Sequence, residues 1–527
     1  MPTFKLDDRE IPFEPGDTVI RAAWRQGIEI PHYCWHPGLS VAANCRMCLV
    51  EIRSGNPVRL PVLRWDETRR AWVDDEKPKL QPACQYPASE GLEVSTRSEH
   101  VRRAQAAVQE LLLLNHPVDC PICDQAGECK LQDYWLEHQA RLKRKKTEPV
   151  HKPKAVRFGP TIVYDAERCI LCTRCVRFCN EIVGDPVLSV RERGNRGEIV
   201  LAPGRELDHG YTLMTEHVCP VGALTSRDFR FKARVWLLRT APGICTGCAT
   251  GCNTWVDYDP RTGRVMRLRP RDNLEVNRFW MCDDGMLSYR QLEQGRLWTG
   301  AIGRGPDRIE CAVGSVVEKA ARALASVPSR RTAVVLSAGQ SCEDNTAAVR
   351  FAREVLGTDR LYLAARGGWR GDDILRNRDD NPNTAGARLA AGGDLDGVEG
   401  LLEDVLAGEV EAVVALGHAC REDVAALAPL ARLAVVVVLA SHESPLSEVA
   451  SFVIPVATWA EQSGSYVNAK GMRQRFARAV PPPAGVRTAW ETLAAMARAS
   501  GKVLDVSDLE PRAPTAVGGA RAVEARP

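Results

Sequence analysis

Cysteine and histidine recur in this chain at spacings that suit metal ligation, and they fall into four groups. In the first, ten residues separate Cys34 from Cys45 and two separate Cys45 from Cys48; Cys84 follows after 35 more. The second is His116, Cys120, Cys123 and Cys129. The third is Cys169, Cys172 and Cys175, followed by Cys179 and, much later, Cys219-Pro220. The fourth is Cys245, Cys248 and Cys252, with Cys282 thirty residues on. Thiolates are soft ligands, and two on a tight loop can approach one metal without strain. Paired Cys-x2-Cys suits a structural zinc ion as well as an iron–sulfur cluster. Three cysteines within ten residues can wrap one face of a cubane, leaving the neutral imidazole of His116 as a fourth ligand. Such a ligand would tune potential, as histidine does in Rieske centres. Alone, His116 would read as a surface or capping histidine; its place just before a Cys-x2-Cys loop makes it a ligand candidate.

The first group, on a β-rich segment with a distant fourth cysteine, resembles the plant-type [2Fe–2S] ferredoxin plan, with ten residues where that plan has four. The third resembles the bacterial ferredoxin run, whose fourth cysteine serves a second cluster. No second run precedes Cys219, so Cys219 is the expected fourth ligand of a single [4Fe–4S] cluster. Cys179 is then a spare thiol buried nearby. The compact triplet and remote cysteine of the fourth group also suit a [4Fe–4S] cubane. Cys311, Cys342 and Cys420 have no partners at ligand spacing and read as buried apolar residues.

At 527 residues the chain is too long for one compact core. With 45% hydrophobic and 26% charged residues it has ordinary globular composition. A net charge of +3 makes no electrostatic case for nucleic acid. No apolar run approaches the roughly 18 residues a membrane helix needs, and the start at Met1 carries neither signal-peptide nor transit-peptide character. A cytoplasmic chain, held at a membrane only through partners, is the expectation. Nineteen cysteines in a chain of this size and compartment point to metal, not disulfides. Sixteen of them lie between Cys34 and Cys282.

The elements that must position these ligands are partly legible. Thr3–Leu6 and Ile11–Phe13 alternate around Asp7-Asp8 as a hairpin. Thr18–Gln26 has helical spacing and stops at Gly27. Leu49–Ile52 reads as a strand, and residues 54–80 as an inserted hairpin. Apolar residues at 101, 104, 108, 111 and 112 predict a helix over 99–114, ended by His116-Pro117. Arg141–Lys146 is a basic run read as a solvated linker. Beyond residue 240, strands at Ala333–Leu336, Ala412–Leu416 and Val435–Leu439 alternate with helices at Thr346–Val355 and Glu422–Leu433. That alternation implies βαβ units around a parallel sheet.

Taken together, the four groups in this order resemble the large iron–sulfur subunit (the G-type subunit) of bacterial NADH–quinone oxidoreductase, respiratory complex I. The stretches that carry the resemblance are Pro31-His-Tyr-Cys34, Asn44-Cys-Arg-Met-Cys48, Leu80-Gln-Pro-Ala-Cys84, His116-Pro-Val-Asp-Cys-Pro-Ile-Cys123, Gly127-Glu-Cys129, Arg168-Cys-Ile-Leu-Cys-Thr-Arg-Cys175 and Cys219-Pro-Val-Gly-Ala-Leu224. Ile454–Asn468 looks like the later part of the family's molybdopterin-oxidoreductase-like domain. The resemblance implies a multidomain α+β and α/β chain. Residues 1–98 would be a β-grasp [2Fe–2S] ferredoxin-like domain. Residues 99–150 would be a small helical [4Fe–4S] domain with one histidine and three cysteine ligands, and 151–238 a [4Fe–4S] ferredoxin-like domain. Residues 239–510 would be a truncated molybdopterin-oxidoreductase-like α/β domain opening with its own [4Fe–4S] site, and 511–527 a disordered tail.

The resemblance further implies that Cys34, Cys45, Cys48 and Cys84 hold a [2Fe–2S] cluster. His116, Cys120, Cys123 and Cys129 would hold one [4Fe–4S] cluster, and Cys169, Cys172, Cys175 and Cys219 the next. Cys245, Cys248, Cys252 and Cys282 match an extra cubane considered off the main path. No molybdopterin is expected, because no later cysteine is placed to ligate molybdenum. The implied role is electron relay without a substrate site, on the cytoplasmic face of the bacterial inner membrane. The implied partners are the flavin/NADH-binding subunit and other peripheral-arm subunits. Two rivals remain at this point: the diaphorase subunit of a soluble NAD-linked hydrogenase or formate dehydrogenase, and a zinc-binding interaction protein.

Overall fold

The computed structural model describes residues 1–55, 57–139, 148–368 and 370–511. The basic run 141–146 and all but the first residue of the tail 511–527 lie outside them. The chain forms two compact units, one of residues 1–237 and one beginning at Leu238.

The first unit opens with the predicted hairpin, β1 (Thr3–Leu6) and β2 (Arg9–Pro12), paired with Phe4 opposite Ile11. The turn needs left-handed backbone at Asp7 (φ 52°), and the Asp7 carboxylate accepts hydrogen bonds from Thr96 N and Oγ1. Asp enters the left-handed region more readily than most residues. The helix Val19–Arg25 follows, with Gly27 at φ 69° ending it as expected. β3 (Leu49–Ile52) lies where the sequence puts it, and residues 54–80 contain the hairpin of β4 (Arg59–Asp66) and β5 (Ala71–Pro78). With β6 (Gln81–Pro82) and β7 (Glu93–Ser95), a sheet of order β2-β1-β7-β3-β6 closes over Phe4, Ile11, Ile20, Trp35, Val50 and Val94.

The helix Glu99–Leu113 starts at an N-cap, with Ser98 Oγ accepting from Val101 N at 3.2 Å. Its inward face is not the apolar stripe that periodicity indicates. Leu111 is 66% exposed, while Val101, Gln105 and Gln109 are buried, and Gln109 Nε2 donates to the Tyr33 hydroxyl. A polar partner elsewhere in the chain overrides hydropathy here. Short strands complete the unit: β8 (Val156–Arg157), β9 (Ile162–Tyr164), β10 (Leu188–Arg191), β11 (Glu198–Leu201) and β12 (Leu224–Ser226).

The second unit begins with an antiparallel sheet of β13 (Arg239–Ile244), β14 (Asn253–Asp259) and β15 (Arg264–Pro270). Its body is an eight-stranded sheet built from β16 (Gly300–Ile302), β17 (Ile309–Cys311), β18 (Thr332–Ser337), β19 (Leu361–Ala364), β20 (Asp396–Gly397), β21 (Ala412–Leu416), β22 (Val435–Ala440) and β23 (Phe452–Pro455). The order is β17-β16-β23-β22-β21-β18-β19-β20, parallel from β23 to β20, as βαβ alternation requires. Alternate residues of β21 face opposite layers: Val414 and Leu416 meet the helices Val313–Ala325 and Ala489–Ala499, while Val413 and Ala415 meet Val398–Leu406.

Two predicted helices differ. The one read as Thr346–Val355 starts earlier, at Cys342 behind an N-capping Ser341, and its last turn is π-helical. The one read as Glu422–Leu433 shrinks to Ala428–Ala431. Pro429 lacks an N–H and restricts Ala428, so helix can only begin there. The buried reading holds for Cys342 alone: Cys311 and Cys420 are half-buried, and Cys420 Sγ sits 2.8 Å from Glu422 Oε2.

Candidate metal centres

Cys34 and Cys45 lie on the long loop after the first helix. Cys48 and Cys84 lie just outside paired residues of β3 and β6, where Leu49 faces Pro82 and Ala83 N donates to Cys48 O at 2.9 Å. The four thiols associate two by two. Cys34 shares a hydrogen bond with Cys45, and Cys48 with Cys84, which draws Cys34 and Cys84 down from the ordinary thiol pKa and pushes their partners up. Two thiols per pair is the arrangement a two-iron centre needs, since four thiolates divide over two irons. Left-handed Ala43 (φ 51°) and Arg46 (φ 60°) curl the loop, a strained backbone of the kind found at functional sites.

In the second group Cys120 opens a single 3-10 turn, and Cys129 stands at the N-cap of the helix Lys130–Tyr134. The three thiols Cys120, Cys123 and Cys129 interact electrostatically in sequence. His116 stands beside Asp119 and Arg168, and the Arg168 guanidinium in turn acts on Cys123. Burial depresses the His116 imidazole to about 4, so it is neutral at physiological pH, and its Nδ1 is buried without a hydrogen-bond partner. A neutral ring with an unsatisfied buried nitrogen fits a ligating histidine.

Cys169, Cys172, Cys175 and Cys219 line one hollow, walled also by Tyr164, Ile199 and Leu224. Burial raises Cys169, Cys172 and Cys219 to about 11. Leu171 and Thr173 are left-handed (φ 53° and 61°), and Leu171 N donates to Cys169 Sγ at 3.4 Å. Cys179 is not among the walls. It is fully buried one turn further on, where its sulfur faces His209 Nε2 at 3.5 Å.

In the second unit the β13–β14 connection carries Cys245, Cys248 and Cys252, closed by Cys245 N to Cys252 O at 2.8 Å. Cys282 caps the helix Asp283–Leu287, its sulfur accepting from Gly285 N at 3.4 Å. The two sulfurs crowd Gly285: a Cβ there would lie 3.1 Å from Cys245 Sγ and 3.4 Å from Cys282 Sγ. Each of the other three thiols acts electrostatically on Cys252.

Among the described residues no three Cys, His, Asp or Glu side chains are spaced around a single ion.

The second and third sites share a wall. Lys130 N donates to Pro220 O at 3.0 Å, and a Cβ at Gly222 would stand 2.4 Å from Cys123 Sγ. Gly222→Val should therefore displace Cys123 and lower iron content by about one cubane, four irons. Iron quantitation checks this; a wild-type count would show that the loop yields freely. Sequence reasoning does not single out Gly222, Arg174 or Arg177. Their signal is position alone, each within three residues of a cysteine in the third group.

Four family models match: a 2Fe-2S iron-sulfur cluster binding domain over residues 1–99, the NADH-ubiquinone oxidoreductase-G iron-sulfur binding region over 105–144, the NADH-quinone oxidoreductase subunit 3 ferredoxin-like domain over 159–225, and a molybdopterin oxidoreductase domain over 378–499. The G-type subunit of NADH-quinone oxidoreductase from Streptomyces coelicolor is 36% identical over 369 residues, covering 69% of this chain and 41% of that protein. NADH-quinone oxidoreductase subunit 3 of Thermus thermophilus is 36% identical over 314 residues, covering 56% of this chain and 39% of that protein. A solved NAD+-reducing [NiFe]-hydrogenase chain is 30% identical and covers 44% of this chain and 91% of its own, with a TM-score of 0.37. The chain spans about two fifths of the length of these two curated relatives. With these domains in this order and identity at this level, the chain belongs to the family of the large iron–sulfur subunit, the G-type subunit, of NADH–quinone oxidoreductase.

Proposed function

We propose that this chain is an electron relay of complex I, taking electrons from a flavin-bearing subunit that oxidises NADH and passing them toward quinone. The observation that carries the reading is the contiguity of three ligand sets in one unit. Asn44 Nδ2, beside Cys45, donates to Leu171 O at 3.1 Å, joining the first set to the third, and the 219–222 loop joins the third to the second. Cys34, Cys45, Cys48 and Cys84 would hold a [2Fe–2S] cluster. His116, Cys120, Cys123 and Cys129 would hold a [4Fe–4S] cluster, as would Cys169, Cys172, Cys175 and Cys219, and again Cys245, Cys248, Cys252 and Cys282. Bound there, such clusters supply one-electron acceptors. The chain's own residues exclude water, aim N–H donors at sulfur, as Leu171 and Gly285 do, and offer one neutral imidazole.

In this reading the α/β domain is a scaffold without molybdopterin. No described helix is long and apolar enough to cross a membrane. We place the chain peripherally, on the cytoplasmic face of the inner membrane, held by peripheral-arm partners. Metal analysis tests the proposal: about fourteen iron atoms per chain are expected from these cluster types. Colourless protein with about four zinc ions would overturn it. So would isolation of the assembly with viologen-linked hydrogen or formate oxidation in place of inhibitor-sensitive quinone reduction.

A further inference from the structure

Four arginines in the described residues are buried: Arg168, Arg174, Arg267 and Arg296. Three are paired with carboxylates, Arg168 with Asp119 at 2.7 Å, Arg267 with Asp257 at 2.7 Å and Arg296 with Glu461 at 2.7 Å. Arg174 has no carboxylate partner among the described residues. Its Nη1 donates to Val218 O at 3.3 Å and its Nη2 to Trp35 O, while its Nε is buried with no partner at all. Burying a cation without an anion is strongly unfavourable. Trp35 follows Cys34, and Val218 precedes Cys219. The guanidinium thus spans two ligand loops.

Arg177, one turn on, repeats the pattern. Its Nη2 donates to Cys34 O at 2.5 Å and to Cys172 O at 3.2 Å, and its Nη1 to Ser40 O. The other ionisable groups facing Arg174 supply no counter-charge. His32 and His36 are imidazoles, which carry no negative charge in either protonation state, and the Tyr134 hydroxyl is spent on the Glu29 carboxylate. The remaining groups that act on it are Arg177 itself and the thiols of Cys172 and Cys219.

We propose that Arg174 and Arg177 are shared tuning residues: two fixed positive charges between the first and third ligand sets, whose missing counter-charge is the net negative charge of the clusters those sets hold. This rests on the cluster assignment above. Each cluster with four thiolates is anionic and gains one further negative charge when it accepts an electron, so a cation held between two of them favours the reduced form of both. The same hydrogen bonds fix the two loops against each other. Arg174 and Arg177 touch no substrate and act only through the field they impose.

The test is redox titration of the intact protein, followed by low-temperature EPR, in wild type and in Arg174→Gln, Arg174→Lys and Arg177→Gln. Arg174→Gln should lower both the first-site and third-site midpoints, so that at fixed ambient potential the ratio of reduced to oxidised centres falls about tenfold at each, or 59 mV for one electron. The second and fourth signals should stay in place, and Arg174→Lys, which keeps the charge, should retain most of the wild-type potential. Should Arg174→Gln fail to assemble, half-buried Arg177→Gln decides, with a smaller shift of the same sign at the same two sites. Unmoved midpoints, a shift at one site only, or an equal shift of all four signals would overturn the proposal. If wild type itself lacks the iron and the signals, it is the cluster assignment that fails.

Discussion

Cys219→Ala should cost the protein one whole cubane, about four irons, while Cys179→Ala should cost none. The two thiols are chemically alike, and local spacing favours Cys179, only four residues after Cys175. Geometry points instead to Cys219, the fourth ligand that the absence of a second cysteine run already leads one to expect. Cys219 shares the hollow of Cys169, Cys172 and Cys175, acts electrostatically with Cys169 and Cys172, and is held by its contact with Val221 O at 3.0 Å. Cys179 follows the helix Arg174–Phe178, and its sulfur is committed to His209. Burial and the nearby Asp185 carboxylate push the Cys179 thiol up to about 12. Iron quantitation and the EPR signal of the third site read both variants. Loss of iron in Cys179→Ala with retention in Cys219→Ala would exchange their roles. Cys179→Ala also removes volume from a fully buried site, so some destabilisation, roughly 1–2 kcal/mol, is expected without loss of iron.

Much of this molecule is legible in its sequence because the information is local. Ligand spacing within a loop is fixed by the few residues between, so Cys169-x2-Cys172-x2-Cys175 brings its thiols together whatever surrounds it. Strands such as Leu49–Ile52 and Ala412–Leu416 declare themselves by alternation or by unbroken apolar runs. The illegible part is set by partners distant in sequence. Nothing near Gln109 says that it will bury against Tyr33 and turn Leu111 outward. Nothing in the run Thr173-Arg174-Cys175-Val176-Arg177 says that its two cations will reach across to Trp35 and Cys34. The shortened helix before Leu433 has a local cause instead. Pro429 is in plain view, and its missing N–H outweighs the apolar spacing around it.

Asp257→Ala should destabilise the second unit by about 3–5 kcal/mol, because it strips the anion from a buried ion triad. Asp257 lies in the middle strand of the β13-β14-β15 sheet, beside an irregularity in its pairing with β15. Its carboxylate receives Arg267 Nε at 2.7 Å, Arg269 Nε at 2.6 Å and Nη2 at 2.9 Å, and Thr240 Oγ1 at 2.7 Å, one bond to β13 and three to β15. Burial alone would raise its pKa; the Arg269 and Arg267 guanidiniums outweigh that and hold it well below the usual carboxylate range. The sign of the pH effect follows. A depressed folded-state pKa contributes stability that is present above the unfolded value near 3.9 and is lost as pH falls through the folded one. Asp257→Asn should thus lose both stability at neutral pH and part of the acid dependence of wild type, measured by thermal unfolding at several pH values. The consequence reaches the fourth metal site, since the loop of Cys245 to Cys252 is the connection between the two strands this carboxylate ties together. Fourth-site iron should therefore fall in step with the unfolding of that sheet while the other three sites keep theirs. Unchanged stability in Asp257→Ala would mean that Arg267 and Arg269 reach solvent at little cost, and that the triad is not what fixes the sheet.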